Sequence, residues 1–300
     1  EVHGVGAKAL EEILMVGGRV DFVGKAFGVY KWSVGGHVFD VALPREDSLG
    51  NSVRVQKDLG LEKAVVRRDF TCNALMYDPL ENEWIDLVGG RLDTENRILR
   101  AVDSERFGDD SLRVLRAARF VATHGMRLDP NLTAICRRLD VSHQPVERIF
   151  GEIRRVLLSD NPGSALSALD ELGALDFILP GLEHLEHCVA ALNRGSRLLS
   201  GLNITTGNLC VQLSVLSRGF ATGQASTFFR RYQIERPGGV PVRRIALGLS
   251  TIEHIPNTPT DSDLRYWVEH CELTWVLASL GAWNPDLNID ACLERAVCLG

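Results

Sequence analysis

Two charged stretches hold the residues best suited to chemistry. Arg67-Arg68-Asp69-Phe70-Thr71-Cys72-Asn73-Ala74 places two guanidiniums, a carboxylate and an amide in one short segment. Downstream, Asp109-Asp110-Ser111-Leu112-Arg113 sets a carboxylate and a guanidinium three residues apart on an expected helix. Adjacent arginines suit bidentate binding of phosphate oxygens. Asp69 can accept from a ribose hydroxyl, and Asn73 can brace the loop or touch the sugar. Together the two stretches read as the parts of a nucleoside triphosphate pocket. The competing reading of the first is a solvated charged turn.

The second stretch can read a base. Asp110 accepts hydrogen bonds only, and Arg113 donates only. Cytosine and adenine each present an amino donor beside a ring-nitrogen acceptor. Guanine and uracil present a carbonyl beside an N–H, so the same pair meets them acceptor to acceptor and donor to donor. Each buried mismatch costs ~1–3 kcal/mol. One fixed acid–arginine pair therefore selects C and A without a template strand. The competing reading is an ordinary helix ion pair worth ~0.3–0.5 kcal/mol. Arg116 and Arg119 continue a cationic stripe down the helix towards where a triphosphate would lie, or pair with Asp109 or Glu105 at the surface.

The elements that must carry these residues follow from periodicity. Residues 7–16 read as a helix. Arg19–Val23 and Phe27–Val34 alternate, Gly35-Gly36 offers a tight hairpin turn, and His37–Leu43 returns as a strand. Period two puts Phe39, Val41 and Leu43 on one face and Val38, Asp40 and Ala42 on the other. Asp40 is out of place among apolar neighbours, so it lies on an exposed sheet face or serves chemistry. Residues 46–65 read as a loop and a weak helix. Ala74–Tyr77 and Glu83–Asp86 read as a strand pair around Asp78-Pro79, and Gly89-Gly90 closes the unit. From Asp103 the pattern is helical, with Leu112, Leu115, Ala118 and Ala122 as a buried stripe and Gly125 as a stop. Further helices are expected at 130–139, 146–158, 162–172, 178–192, 209–217, 226–232, 243–253 and 261–280. Pro237-Gly238-Gly239 and Pro256–Pro259 read as breaks.

Composition bounds the class. The chain has 300 residues, 45% hydrophobic and 24% charged, which suits two or three packed units of a soluble globular protein. No apolar run approaches the ~20 residues that span a bilayer, so no membrane association is expected. Seven scattered cysteines without a Cys-x-x-Cys pair point away from zinc and towards reduced thiols in the cytoplasm. The net charge of −6 opposes a wholly basic nucleic-acid coat, yet arginines crowd between Arg97 and Arg155.

Arg67-Arg68-Asp69-Phe70-Thr71-Cys72-Asn73-Ala74-Leu75, Ile85-Asp86-Leu87-Val88-Gly89-Gly90 and Asp109 to Phe120 fall in order and at close spacing. In this the chain resembles the class II tRNA nucleotidyltransferase and bacterial poly(A) polymerase family, over roughly residues 1–182. Glu147-Arg148-Ile149 with Glu152 resembles the family's neck segment. Phe22 to Val29 and Asp40-Val41-Ala42-Leu43-Pro44-Arg45 resemble its head strands. The resemblance implies an α+β protein: a partial polymerase-β-like nucleotidyltransferase head of mixed sheet at 1–102, a helical neck at 103–160 and a helical, RNA-binding body and tail at 161–300. It allots Arg67, Arg68 and Asp69 to ribose and phosphate and Asp110 and Arg113 to the base. Asp40 falls where the family offers a third catalytic carboxylate to Mg²⁺, and Asp109 stands where Glu is usual.

One departure bears on activity. The Gly-rich turn and Asp-x-Asp strand that precede the segment resembled by Glu1-Val2-His3-Gly4 are not in this sequence. Asp40 alone supplies too few oxygens for two hard cations. The chain is therefore expected to be the portion after the catalytic strand and, as written, to add no nucleotide. The implied activity of the whole enzyme is template-independent addition of CCA to tRNA 3′ ends from CTP and ATP. Poly(A) synthesis or addition of only A or only C is the near alternative. A non-catalytic RNA- or nucleotide-binding protein is the alternative of another class. A phosphohydrolase is disfavoured, since no His-Asp pair occurs. His184 and His187 read as a wet helix face rather than half a metal site, and Phe228-Phe229-Arg230-Arg231-Tyr232 reads as helix packing rather than an RNA grip. The role of the last ~100 residues stays open.

Overall fold

The computed structural model describes residues 1–24, 29–48, 52–56, 58–202, 207–234, 259–270 and 273–299. The expected helix at 243–253 and the Pro237-Gly238-Gly239 break lie outside them, as do residues 25–28 of the Phe22–Val29 segment and 256–258 of the second proline break. Two compact units emerge. Unit 1 is Glu1–Asn96 with Arg100–Asp109, and unit 2 is Arg97–Leu99 with Asp110–Gly300.

In unit 1, helix α1 (Ala7–Gly17) lies on an antiparallel sheet of β1 (Arg19–Gly24), β2 (Val29–Val34) and β3 (His37–Ala42), in the order β1-β2-β3. Alternation sorts the sheet as expected. Leu10, Leu14, Tyr30 and Leu43 form a small core with Val20, Trp32 and Val41 against them. The other face carries Asp21 opposite Lys31 and Lys31 opposite Asp40. Gly35 and Gly36 turn the hairpin with φ of +57° and +80°, a left-handed pair that suits glycine. After it come β4 (Arg45–Ser48), β5 (Ser52–Val55) and α2 (Leu61–Val66). A loop was expected at β4 and β5. Among the described residues the two strands pair with each other, Arg45 opposite Val55 to Ser48 opposite Ser52, so a backbone ladder defines β4 although its four residues include no apolar one. Next, β6 (Met76–Asp78) and β7 (Glu83–Ile85) make the expected pair, and α3 (Gly90–Glu95) comes after them. Unit 1 does not close at Gly90, because Arg100–Asp109 pack with it.

Among its described residues, unit 2 is helical apart from a two-residue parallel pair, β8 (Ile98–Leu99) with β9 (Arg127–Leu128), and an isolated bridge between Leu182 and Phe220. Its first helix, α4 (Arg113–His124), begins later than the pattern from Asp103 suggested and ends at Gly125 as expected. Leu112, Leu115, Ala118 and Ala122 are all buried. Then come α5 (Pro130–Cys136), capped by the Asp129 carboxylate, α6 (Val146–Leu157), α7 (Pro162–Glu171) and α8 (Leu175–Ile178). The single helix expected at 178–192 is instead split. Leu179 precedes Pro180 and leaves the helical region at φ −126°, ψ 62°, as a residue before proline tends to. The chain resumes in α9 (Leu185–Gly201), α10 (Asn208–Ser217) and α11 (Gln224–Arg231). The expected 261–280 helix is two helices, α12 (Asp261–His270) and α13 (Leu273–Trp283), succeeded by α14 (Ile289–Leu299).

Helix α4 packs on α6 and α7, α7 on α9, and α9 and α10 on α13. A separate core of Leu264, Trp267, Val276, Leu277, Leu280, Leu287 and Cys292 joins the last three helices. Phe228 and Phe229 are each 1% exposed and Tyr232 is buried, so the aromatics of the run pack inward while Arg230 stays exposed. Among the described residues, no helix is long and apolar enough to cross a membrane.

Candidate functional site

The first constellation belongs to unit 1. Helix α2 ends at Val66, and Arg67 caps it in an ordinary helical conformation. Phe70 anchors the segment beyond the cap: it is fully buried, packs on Phe107 at 5.8 Å between ring centroids, and bridges Ala101. Thr71 N donates to Arg100 O at 3.0 Å and Val102 N to Asp69 O at 3.2 Å, so backbone bonds fasten the segment on both sides of Phe70. Thr71–Asn73 then form a single 3₁₀ turn rather than a strand.

That turn fixes Asp69, which is only 6% exposed. Its Oδ1 accepts from Phe70 N at 2.9 Å and from Asn73 Nδ2 at 3.0 Å. Of the two roles open to Asn73, bracing is the one seen. Below the turn, Thr71 Oγ1 donates to Asp93 at 2.7 Å, and Arg100 Nε donates to the same oxygen at 3.1 Å. Helix α3 comes so close that a Cβ on Gly90 would stand 2.1 Å from Thr71 O. Asp86 in turn caps α3, accepting from Gly90 N at 2.9 Å and Arg91 N at 3.0 Å. These backbone donors, that of Arg91 foremost, hold its carboxyl below the usual carboxylate range. The Ile85–Gly90 motif thus supports the twin-arginine segment from beneath.

The two arginines share a counter-ion that spacing gave no hint of. The Glu1 carboxylate, 9% exposed, forms an ion pair with Arg67 and lies 3.6 Å from Arg68. Burial, then the neighbouring Arg68, pulls the Arg67 guanidinium down to about 10, so it stays a cation at neutral pH. A phosphate would meet these cations where a carboxylate oxygen now sits.

The second constellation belongs to unit 2, and here expectation needs correcting. Asp110 is not on the helix. It stands before α4, where Leu112 N donates to its Oδ1 at 3.1 Å and Arg113 N to its backbone oxygen at 3.0 Å. An Asp side chain that bonds the amide two residues on favours a helix start over a helix interior. Arg113 is the first residue of α4, so acid and arginine are borne on one turn. The carboxylate is held from α6 and the residues just before it: Arg148 Nη2 donates to Oδ2 at 2.7 Å, and Gln144 Nε2 to Oδ1 at 3.1 Å. Neither partner was given a role by sequence reasoning. Only the Glu147-Arg148-Ile149 motif marked one of them.

Arg116 succeeds Arg113 along α4, but the stripe does not continue to Arg119. Six residues advance an α-helix by ~240° from Arg113, onto another face. There Arg119 Nε donates to Glu152 Oε2 at 2.7 Å, and Arg155 Nη1 takes the other carboxylate oxygen at 2.7 Å. Glu152 is 2% exposed, so this triad ties α4 to α6 in the interior.

Asp40 sits on the polar face of the β1-β2-β3 sheet, its side chain 76% exposed and 4.0 Å from Lys31 Nζ. Among the described residues, no group of three or more His, Cys, Asp or Glu could hold a metal ion. One carboxylate facing a lysine does not supply the several oxygens that a hard divalent cation wants. The residues present therefore do not by themselves fit a two-metal centre. His184 and His187 stack edge to face at 6.1 Å without a third ligand.

Unit 1 thus presents paired arginines beside a braced carboxylate, and unit 2 opens on an acid–arginine turn. Residues 8–100 match the family model described as the poly A polymerase head domain, and residues 125–185 that of the probable RNA- and SrmB-binding site of polymerase A. The chain is 36% identical over 184 residues to the multifunctional CCA protein of Aromatoleum aromaticum, covering 58% of this chain and 44% of that protein. It is 32% identical over 219 residues to that of Alkalilimnicola ehrlichii, covering 64% and 50%. The chain thus spans about half the length of the curated relatives it matches. Its fold is that of the Bacillus stearothermophilus CCA-adding enzyme solved with CTP, with a TM-score of 0.77 at 24% identity, covering 96% of this chain and 70% of that one. A tRNA nucleotidyltransferase solved with a primer tRNA and an ATP analogue gives 0.72 at 20% identity, covering 98% and 88%.

Proposed function

We propose that this chain is the nucleotide-handling part of a template-independent RNA nucleotidyltransferase that adds CCA to tRNA 3′ ends from CTP and ATP. The observation that carries the reading is the Asp110–Arg113 turn: an acceptor and a donor on one turn, the acceptor locked from a second helix. In unit 1, Arg67 and Arg68 take phosphate oxygens in place of the Glu1 carboxylate. Asp69, held by Asn73, accepts from the ribose. In unit 2, Asp110 and Arg113 read the base edge, Arg116 extends the positive field, and Arg119 secures α4 through Glu152. The reaction is in-line attack of the RNA 3′ hydroxyl on the α-phosphate, with pyrophosphate leaving. The protein supplies positioning and charge stabilisation.

A divalent cation, Mg²⁺ by our reading, would supply activation of the hydroxyl and neutralisation of the leaving group in such a reaction. Asp40 would offer such a cation one carboxylate, which by itself does not make a two-metal centre. A helical surface rich in arginine between Arg97 and Arg155 suits the tRNA, and the cytoplasm is the compartment proposed.

Equilibrium binding tests the reading. The chain should take CTP and ATP in preference to UTP and GTP. Equal affinity for all four, or none, would remove it. Incubation with Mg²⁺ and tRNA lacking CCA, each nucleotide supplied separately, distinguishes CCA addition from poly(A) synthesis. C incorporation and then one A supports the first, and runs of A the second.

A further inference from the structure

We infer that Arg148 and Gln144 are positioning residues that lock Asp110 so that a single lone pair, on Oδ2, is left to accept the amino group of the incoming base. The inference rests on the base-reading role proposed above and deepens it: it assigns specificity to two residues on and just before α6. The argument is a count. An ionised carboxylate offers roughly four lone pairs, two on each oxygen. Oδ1 accepts from Leu112 N at 3.1 Å and Gln144 Nε2 at 3.1 Å, with Arg148 Nη1 at the outer limit of 3.5 Å. Oδ2 accepts from Arg148 Nη2 at 2.7 Å. Oδ1 is therefore full, and one acceptor position remains on Oδ2.

The lock is itself held. Arg148 Nη1 donates to Gln144 Oε1 at 2.7 Å, and Gln144 Nε2 also donates to Ser111 Oγ at 3.2 Å. Turning the Gln144 amide over would break all of these at once. Arg148, Gln144 and Asp110 form a closed ring in which each member fixes the next. Arg148 is one helical turn before Glu152, so the ring and the Arg119–Glu152–Arg155 triad lie along the same side of α6, towards α4. Buried Ile149, 1% exposed, seats this part of α6 in the core. The open position on Oδ2 meets the N–H of a cytosine or adenine amino group. The carbonyl of uracil or guanine brings a second acceptor to the same spot. Freed from Arg148, Asp110 rotates away from that carbonyl and the rejection weakens, while the phosphate contacts of unit 1 are untouched.

The test measures CTP and UTP binding to the 300-residue chain, since these nucleotides differ only at the base. The wild-type chain should prefer CTP about tenfold or more, the size expected of a good base-edge contact. Arg148→Met should bring the ratio to about threefold or less, with most of the loss arising from tighter UTP binding relative to CTP. Gln144→Met should fall between. Thermal unfolding checks that each variant is folded, and Gln144→Met, a partly exposed change, covers the case in which Arg148→Met is not. A merely structural role would weaken both nucleotides alike. An unchanged ratio in folded Arg148→Met or Gln144→Met, beside a wild-type preference for CTP, overturns the lock and leaves base reading intact. No wild-type preference overturns both.

Discussion

The twin-arginine segment and the Asp110 turn solve opposite problems. In the first, one carboxylate, that of Glu1, faces two guanidiniums; in the second, a guanidinium and an amide, those of Arg148 and Gln144, face one carboxylate. The first draws its closest support from its own neighbourhood: Asn73 braces Asp69 four residues away, and Phe70 N binds the same oxygen. The second is held across 34 and 38 residues by Gln144 and Arg148. A site built from local partners survives changes elsewhere in the fold. A site built from remote partners is only as firm as the packing between its helices.

That contrast can be broken most directly at Arg119. Arg119→Met leaves Glu152 buried with Arg155 alone. It should destabilise unit 2 by about 3 kcal/mol, the low end for an unpaired buried charge because Arg155 remains. Urea unfolding monitored by circular dichroism measures it, and a loss below ~1 kcal/mol would mean the α4–α6 contact does not depend on the triad. Unit 1 should respond to a local change instead. Asp69→Ala strips the acceptor from Phe70 N and should cost ~1–2 kcal/mol. Hydrogen exchange at Phe70 and Asn73 should rise while amides in α6 stay protected. Faster exchange in α6 would show that the two regions are not held independently.

The smallest effect concerns thiols, which report burial in both units at once. Burial raises Cys72 in unit 1 to about 11, and Cys136 and Cys210 in unit 2 to about 12. A raised thiol pKa leaves less thiolate at a given pH. At pH 8 a thiol at about 11 is ~0.1% thiolate, and each pH step upward raises its alkylation about tenfold. Exposed Cys298 should label first among the described cysteines. Mass spectrometry of timed alkylation checks the order, and early labelling of Cys136 would contradict the buried α5.

The head strands, the Gly35-Gly36 turn and the α4 stripe were legible because each rests on spacing within one element. The paired β4 and β5 were not, because β4, Arg45-Glu46-Asp47-Ser48, carries no apolar residue and the alternation of β5 spans only four residues. The break at Leu179–Pro180 was present in the letters, but the apolar run across it concealed the end of the helix. Arg119 was misplaced on the cationic stripe because a three-residue step was continued twice, past the helical repeat.

By itself, the sequence determined which groups are available and which lie within a few residues of one another: two guanidiniums beside a carboxylate and an amide, and an acid three positions before an arginine. Covalent connection alone holds such groups close. Only tertiary structure decided what each charge faces: that Glu1 answers Arg67 and Arg68, that Arg119 turns to Glu152, and that Arg148 and Gln144 leave Asp110 one open lone pair. Those partners come from distant segments. They meet because burying apolar helix faces brings α4 and α6 together, and the charges at their margins must then find one another or remain unsatisfied.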